Sequence, residues 1–471
     1  MIIDWQTSSH EPGSGTGATP FSQELTSQVQ SHPRATHIPP APPSSPLPLE
    51  LMYLIIDSHL SHDPKALLNL ASAVPDLRHR CWTHAFHSAK IIIRQREIER
   101  KKVTSNIDLF LQLLDRIPAI YGYVRELDIQ DRGRLVWAQQ SLASSSQEDM
   151  TTLSLLLVQT KRMSRLKSFR ITTTITWSTL PIHVKEAFFA MFTSSTLSEI
   201  ALSGILLPVN FLTLIKGLRT VDFQTGGVGP SVFHPSLVNH LPKKVETLKI
   251  RDRNPFSNPM SVLGFSSCSH KPFSLAHIKH LEICLPGRQL SSIQEGLQRC
   301  QKLELFKVFV GTAGGPPDPL KLDCLPSLQQ LTLAADITNI LDASCRFYWA
   351  IELLASIPTM SPLQDVTFLI RTPSLEQGKQ CEWGLLDALF HLPEIAPALV
   401  GARAPEVGLR WPSLRSFNII WCTARSQDIQ DGANTDFMVH LPIFVPHLHV
   451  RGVAKMQTTY SDTYHNFWTY T

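Results

Sequence analysis

One spacing recurs ten times along this chain and limits what it can fold into: an apolar residue, two mostly polar positions, an apolar residue, one position, and a third apolar residue. The sets are Val124-Leu127-Ile129, Leu166-Phe169-Ile171, Leu197-Ile200-Leu202, Leu218-Val221-Phe223 and Val245-Leu248-Ile250, then Ile278-Leu281-Ile283, Leu303-Phe306-Val308, Leu328-Leu331-Leu333, Leu363-Val366-Phe368 and Leu414-Phe417-Ile419. The last two members of each set are two residues apart, so each set predicts a short strand with one buried face. Between the sets, Val184 to Phe192, Leu290 to Cys300, Tyr348 to Ile357 and Trp383 to Phe390 carry apolar residues at the period of an amphipathic helix. Strand and helix therefore alternate, at intervals of about 20 to 50 residues. A unit of that size cannot bury its apolar face alone. Stacking many of them into one parallel sheet gives a continuous core.

This pattern resembles the leucine-rich repeat in a longer, less regular form. The resemblance implies an α/β fold, a solenoid with a curved parallel sheet over residues 124–422 and a C-terminal cap and tail over 423–471. Regular repeats carry Asn three residues after the last strand Leu. None of the ten does here, and Thr174, Asp336 and Cys422 stand closest to that role. Side chains alternate across a strand, so a second set is expected to point away from the core, onto the concave face. Lys249, Arg251, Lys307, Phe309, Thr367, Leu369, Asn418 and Ile420 are the candidate target-binding residues from that set. Both signs of charge alternate along its first half, which argues against a nucleic-acid groove. Phe309, Leu369 and Ile420 make its second half more apolar, as a protein-binding surface would be, with Trp421 beside them.

The N-terminal part reads differently. Residues 1–45 are rich in Ser, Thr, Gly, Pro and Gln, and are expected to be a disordered tail. Residues 46–90 predict short helices. Leu51, Leu54, Ile55 and Leu60 fall at helical spacing, and Pro48 suits a first turn. Asp63-Pro64 reads as the cap and first turn of a second helix, whose apolar face holds Ala66, Leu67, Leu70, Ala73 and Val74 before Pro75 ends it. Residues 91–123 read as linker helices.

The Leu47-Pro48-Leu49-Glu50-Leu51 start and the two apolar helices after it resemble the F-box. With irregular repeats behind it, the chain is similar to fungal F-box proteins. The resemblance implies docking onto a Skp-family adaptor through Leu47, Pro48, Glu50, Leu51, Ile55, Leu60, Leu67 and Leu70, and through the adaptor onto a cullin scaffold. The family's Ser-x-x-Trp is replaced by Val74-Pro-Asp-Leu77, with Trp82 arriving later. The function implied is substrate recognition in a cullin-type (SCF) ubiquitin ligase, with the repeats holding a target protein. A ligase-independent protein-binding scaffold is the other reading the residues leave open.

Composition narrows the rest. A net charge of +4 over 471 residues demands neither nucleic acid nor a membrane surface. The eight cysteines include no Cys-x-x-Cys pair, and read as reduced, buried thiols of a cytoplasmic or nuclear protein. The first residues lack a basic start and an apolar run, so no signal peptide is expected, and the apolar stretch Ile200 to Ile215 is broken by Pro208 and Asn210. His59, His62, His79, His84, His87 and Cys81 lack the spacing of a zinc site. No nucleophile elbow, phosphate loop or zincin helix occurs, so no enzyme activity, metal or cofactor is expected.

Overall fold

The computed structural model describes residues 47–94, 106–131, 144–173, 180–194, 196–205, 207–224, 242–251, 273–286, 290–311, 317–336, 340–372, 381–390, 410–423 and 454–460, with scattered positions between them. The expected tail over 1–45, most of the basic run from Arg94 to Lys102 and most of the expected cap lie outside these residues. Two compact units divide the chain, Met1–Lys90 and Ile91–Thr471.

The larger unit is a parallel α/β sheet. Its strands are β1 (Ser88–Arg94, across the division), β2 (Glu126–Asp131), β3 (Ser168–Thr172), β4 (Glu199–Ser203), β5 (Thr220–Gln224), β6 (Thr247–Arg251), β7 (His280–Pro286), β8 (Leu305–Gly311), β9 (Gln330–Asp336), β10 (Asp365–Thr372), β11 (Ser416–Thr423) and β12 (Ala454–Tyr460). They lie side by side in chain order, and every pairing from β2 to β12 is parallel. Each repeated set maps onto this frame in the same way. Its first residue sits in the turn two positions before a strand, and its other two lie on one face of the strand. Every residue of the ten sets is buried.

The expected helices form between the strands: Ile182–Ser194, Ser291–Leu297, Ile340–Ala355 and Trp383–Leu389. Two more, Ile107–Arg116 and Ser144–Gln159, lie in the first repeats. Near the C-terminal end the core becomes aromatic. Phe347 packs on Phe368 and Trp383, Trp383 on Trp421, and Phe390 on Trp411 and Phe417, at centroid distances of 4.8 to 5.9 Å. The indole N–H of Trp421 donates to Thr372 Oγ1 at 3.0 Å and that of Trp411 to the Pro358 carbonyl at 3.1 Å, so both rings are buried with their polar atom satisfied.

Two edges differ from expectation. Residues 91–94 belong to β1, a strand, where linker helices were expected. Ala89, Ile91 and Ile93, at alternate positions, are buried, and Asn106 ties the strand down by accepting from Ile92 N through Oδ1 at 2.7 Å. Strand β12 continues the sheet beyond the last set, placing Ala454 and Met456 in register with Phe417 and Ile419.

The smaller unit comprises α1 (Leu49–Ile55), continuing into a π turn (Ile56–Leu60), then α2 (Pro64–Ala73) and α3 (Arg78–Ala85). Asp63 caps α2 by accepting from Ala66 N at 3.0 Å, with Pro64 in the first turn. Its core is Ile56, Leu67, Ala71, Leu77, Cys81, Ala85 and Phe86.

Phe306 is fully enclosed at the middle of the sheet. Phe306→Ala is expected to destabilise the repeat unit by about 3–5 kcal/mol, read as a lowered midpoint in chemical denaturation.

Candidate interaction surfaces

The helical unit presents one apolar surface. Leu47 and α1 leave Leu49, Leu51, Leu54 and Ile55 in solvent, with Leu54 61% and Leu51 46% exposed, and no residue of α1 is buried. The expected adaptor contacts Leu47, Pro48, Glu50, Leu51 and Ile55 are therefore all exposed, Leu60 and Leu70 are half-buried, and Leu67 is not available at 0% exposure. Leu67 belongs to the core because it faces inward from α2 beside Ala71. Leu49 and Leu54, absent from the expected contacts, complete the surface. Their signal in the sequence was that a seven-residue helix, Leu-Glu-Leu-Met-Tyr-Leu-Ile, is apolar on nearly every side, more than one core contact can use.

Behind this surface lies a polar clasp. Asp57, on the π turn, accepts from Arg80 Nε at 2.8 Å and from a second nitrogen of the same guanidinium, and His84 Nε2 lies 2.8 Å from its Oδ1. Arg80 also stacks over the Tyr53 ring at 5.6 Å. The hydrogen bond from Arg80 holds the Asp57 carboxyl down at about 2.

On the sheet, the face opposite the main core is built in rows, because parallel register places equivalent residues side by side. One row runs Asp222, Lys249, Glu282, Lys307, Thr332, Thr367, Asn418. The next, two residues further along each strand, runs Gln224, Arg251, Cys284, Phe309, Ala334, Leu369, Ile420. Lys249, Lys307, Thr367 and Asn418 in the first row are half-buried and within reach of solvent.

The second row corrects the expectation of an open binding face. Phe309 and Leu369 are 2% and 1% exposed, and with Cys284 and Ala334 they form a second apolar cluster against which Ile420 packs. The strand register is not the reason, since Lys307 and Phe309 share a face as expected, opposite Phe306 and Val308. Parallel sheets are commonly enclosed on both faces, and here the stretch Cys284, Phe309, Ala334, Leu369 of the second row is enclosed while Lys249, Lys307, Thr367 and Asn418 of the first are only half-buried. Trp421 is likewise buried, on the main core side beside Trp383. Phe309 and Leu369 are thus packing residues, not contacts for a target.

Arg251 is also buried. Its Nε donates to Glu282 at 2.8 Å and its Nη1 lies 3.8 Å from Asp222, so one guanidinium bridges carboxylates on the strands to either side. Burial raises the Asp222 carboxyl above its usual range, an effect that outweighs the opposing pull of Arg251. Further along, Arg371 Nη1 donates to the buried Asp336 at 3.1 Å. Asp336 thereby pairs its charge with a neighbouring strand.

Among the described residues no group of His, Cys, Asp and Glu is placed to hold a metal ion, and no helix is long and apolar enough to cross a membrane. Burial pushes the Cys300 and Cys422 thiols up to about 12, which leaves them unreactive as nucleophiles. Neither the family models nor the curated proteins compared with this chain give a match.

Two outcomes follow from these charges. Removing Glu282 takes away the closer of the two carboxylates that the buried Arg251 meets, so Glu282→Met is expected to cost about 3–5 kcal/mol in a denaturation experiment, and Arg251→Met added to it should recover much of the loss. For Asp57 the folded carboxyl titrates near 2, below its ordinary value of 3.8. The clasp therefore stabilises the helical unit above the ordinary value and is lost as pH falls through about 2. Asp57→Asn should flatten the acid dependence of helical melting, followed by circular dichroism, across that window.

Proposed function

We propose that this chain is the substrate-recognition subunit of a cullin-type (SCF) ubiquitin ligase. In this reading the helical unit is an F-box that docks a Skp-family adaptor, and the sheet is an irregular leucine-rich-repeat domain that holds a target protein. The observation that carries it is the surface on α1. A Leu-Pro-x-Glu-Leu start leads into a helix with no buried residue, whose apolar side chains stand in solvent on a unit that already has its own core. Exposed apolar surface of this kind suits an interaction site, and the resemblance of its start to the F-box supports a Skp-family adaptor as the occupant.

The mechanism is proximity. The chain would hold a lysine-bearing target near a ubiquitin carrier recruited through the adaptor and cullin, raising the effective concentration of one for the other. None of its own side chains would enter a covalent step.

Co-purification of the tagged full chain tests this. Leu51→Asp with Leu54→Asp places two charges on the exposed surface without touching the buried core. Loss of one apolar anchor at an interface costs about 2 kcal/mol or more, so the double variant should release adaptor and cullin together while the repeat unit keeps its melting temperature. Adaptor recovery equal to wild type would remove the ligase reading and leave the ligase-independent scaffold.

A further inference from the structure

Two helices that cover the first repeats, Ser144–Gln159 and Ile182–Ser194, each present one stripe of side chains to solvent. Leu153, Leu156 and Leu157 of the first and Val184, Phe188 and Met191 of the second are buried. The exposed stripe of the first is Leu155, Val158 and, in the turn that follows, Arg162. That of the second is Ile182, Glu186 and Phe189, at the same three- and four-residue spacing. Leu155 is 52%, Val158 43%, Ile182 69% and Phe189 40% exposed. The helices lie side by side, with Ser154 Oγ donating to the His183 carbonyl at 3.4 Å. They run in the same direction, because each returns from one parallel strand to the next. The two stripes therefore form one face.

The apolar area of this face and its charges fit a copy of itself. Residues of this size present about 150–200 Å² when fully exposed, so the four leave about 350 Å² of mostly apolar surface open. The smaller stable interfaces bury about 600 Å² per partner, somewhat over half of it apolar, which is about the same amount. Each stripe also carries one charge, and the signs differ. Arg162 lies over the Tyr121 ring at 4.5 Å and reaches its hydroxyl and Gln159 Oε1 by long contacts of 3.5 Å. Neither Arg162 nor Glu186 forms an ion pair among the described residues. Lys161, the other exposed cation beside them, lies roughly a quarter turn off the stripe.

A two-fold axis between the helices lays each stripe antiparallel on the opposite stripe of a second copy, the self-complementary arrangement that a closed dimer requires. The contact between Ser154 and His183 sets the heights. Arg162 is eight residues beyond Ser154 and Glu186 three beyond His183. At a rise of about 1.5 Å per residue they stand about 12 and about 4.5 Å along the helices. An axis midway, at about 8 Å, brings Arg162 level with Glu186 of the second copy. The same axis brings Val158 to within about 2 Å of the height of the second copy's Phe189. One placement thus matches the charges and the apolar residues together. We propose that a second copy of this chain covers this face, forming a two-fold dimer in which Arg162 of each copy pairs with Glu186 of the other. A different protein would have to supply its own matching charges, whereas the two-fold needs only this chain. The dimer stands whether or not the ligase reading does, and under that reading it makes the receptor bivalent.

Sedimentation equilibrium of the full chain without adaptor, over about 1–100 μM, tests this in the range where an interface of this size associates. The mass should rise from 52.8 kDa toward twice that value. Leu155→Asp with Ile182→Asp should hold it at the single-chain mass with the melting temperature unchanged, since both side chains are exposed. Arg162→Glu and Glu186→Arg should each weaken self-association by at least about tenfold. Mixed in equal amounts, those two variants should recover it, because both cross-copy contacts then pair opposite charges again. Lost packing alone would give no such recovery. Leu51→Asp with Leu54→Asp, on the helical unit, should leave the dimer intact. Three outcomes would each overturn the proposal. A single-chain mass throughout the range would hand the face to another occupant. Failure of the mixed variants to recover would remove the pairing of Arg162 with Glu186. A dimer lost in the α1 variant but kept in the Leu155 variant would place self-association on the other apolar surface.

Discussion

One backbone arrangement sets the geometry of the repeat unit. At nine successive junctions from Arg125 to Arg415, a single carbonyl just before a strand accepts two N–H groups from the next turn, at 2.7 to 3.1 Å. A parallel strand has no hairpin to fix its register, because its neighbour returns only after a long crossover. The shared carbonyl supplies that fix. It aligns every turn with the next before the strand begins, and the ladder then propagates the alignment along the strand. A slip of one residue would turn each apolar pair out of the core, so the junction and the apolar set specify the same register from two directions.

The alignment has consequences on the other face. Equivalent positions from successive strands become neighbours, so whatever one repeat carries is read against the next as a row. Where opposite charges fall on adjacent rows they pair across them, as Arg251 of one row does with Asp222 and Glu282 of the other. Where a row carries Cys284, Phe309, Ala334 and Leu369 it condenses into a second core. Desolvation decides the tone of the charged row. Asp222 is raised by burial even with a guanidinium 3.8 Å away, so the pairing specifies neighbours more than it adds stability.

How much of this was legible in the sequence follows from the same geometry. The ten strands and their core residues could be read because a two-residue period and the preceding turn residue are local signals. β1 carries the same spacing in Phe86, Ala89 and Ile91, but alanine in the middle hides it from a count of large apolar residues. β12 has Ala454 where β11 has Phe417, and is fainter still. The second core was not legible. Alternation says which side of the strand Phe309 occupies, but not whether that side is covered, since burial there depends on what lies across the face. On α1 the motif residues prove to be exposed, whereas Leu67 is enclosed, because an apolar face read from spacing does not tell a core position from a surface one.

The helical unit shows how a surface helix is held without being buried. A helix of seven residues has little stability of its own in water, and α1 contributes no side chain to the core. Its restraint comes from the π turn that follows, where Ile56 enters the core and Asp57 meets Arg80 and His84 on α3. Arg80 adds a second tether through the Tyr53 ring on α1 itself. An apolar anchor in place of these polar contacts would take leucines of α1 out of solvent. Polar tethering leaves Leu51, Leu54 and Ile55 in solvent yet fixes the direction of the helix, so their exposed face is already arranged. The arrangement places the cost of exposed apolar surface on a unit whose core is complete without it.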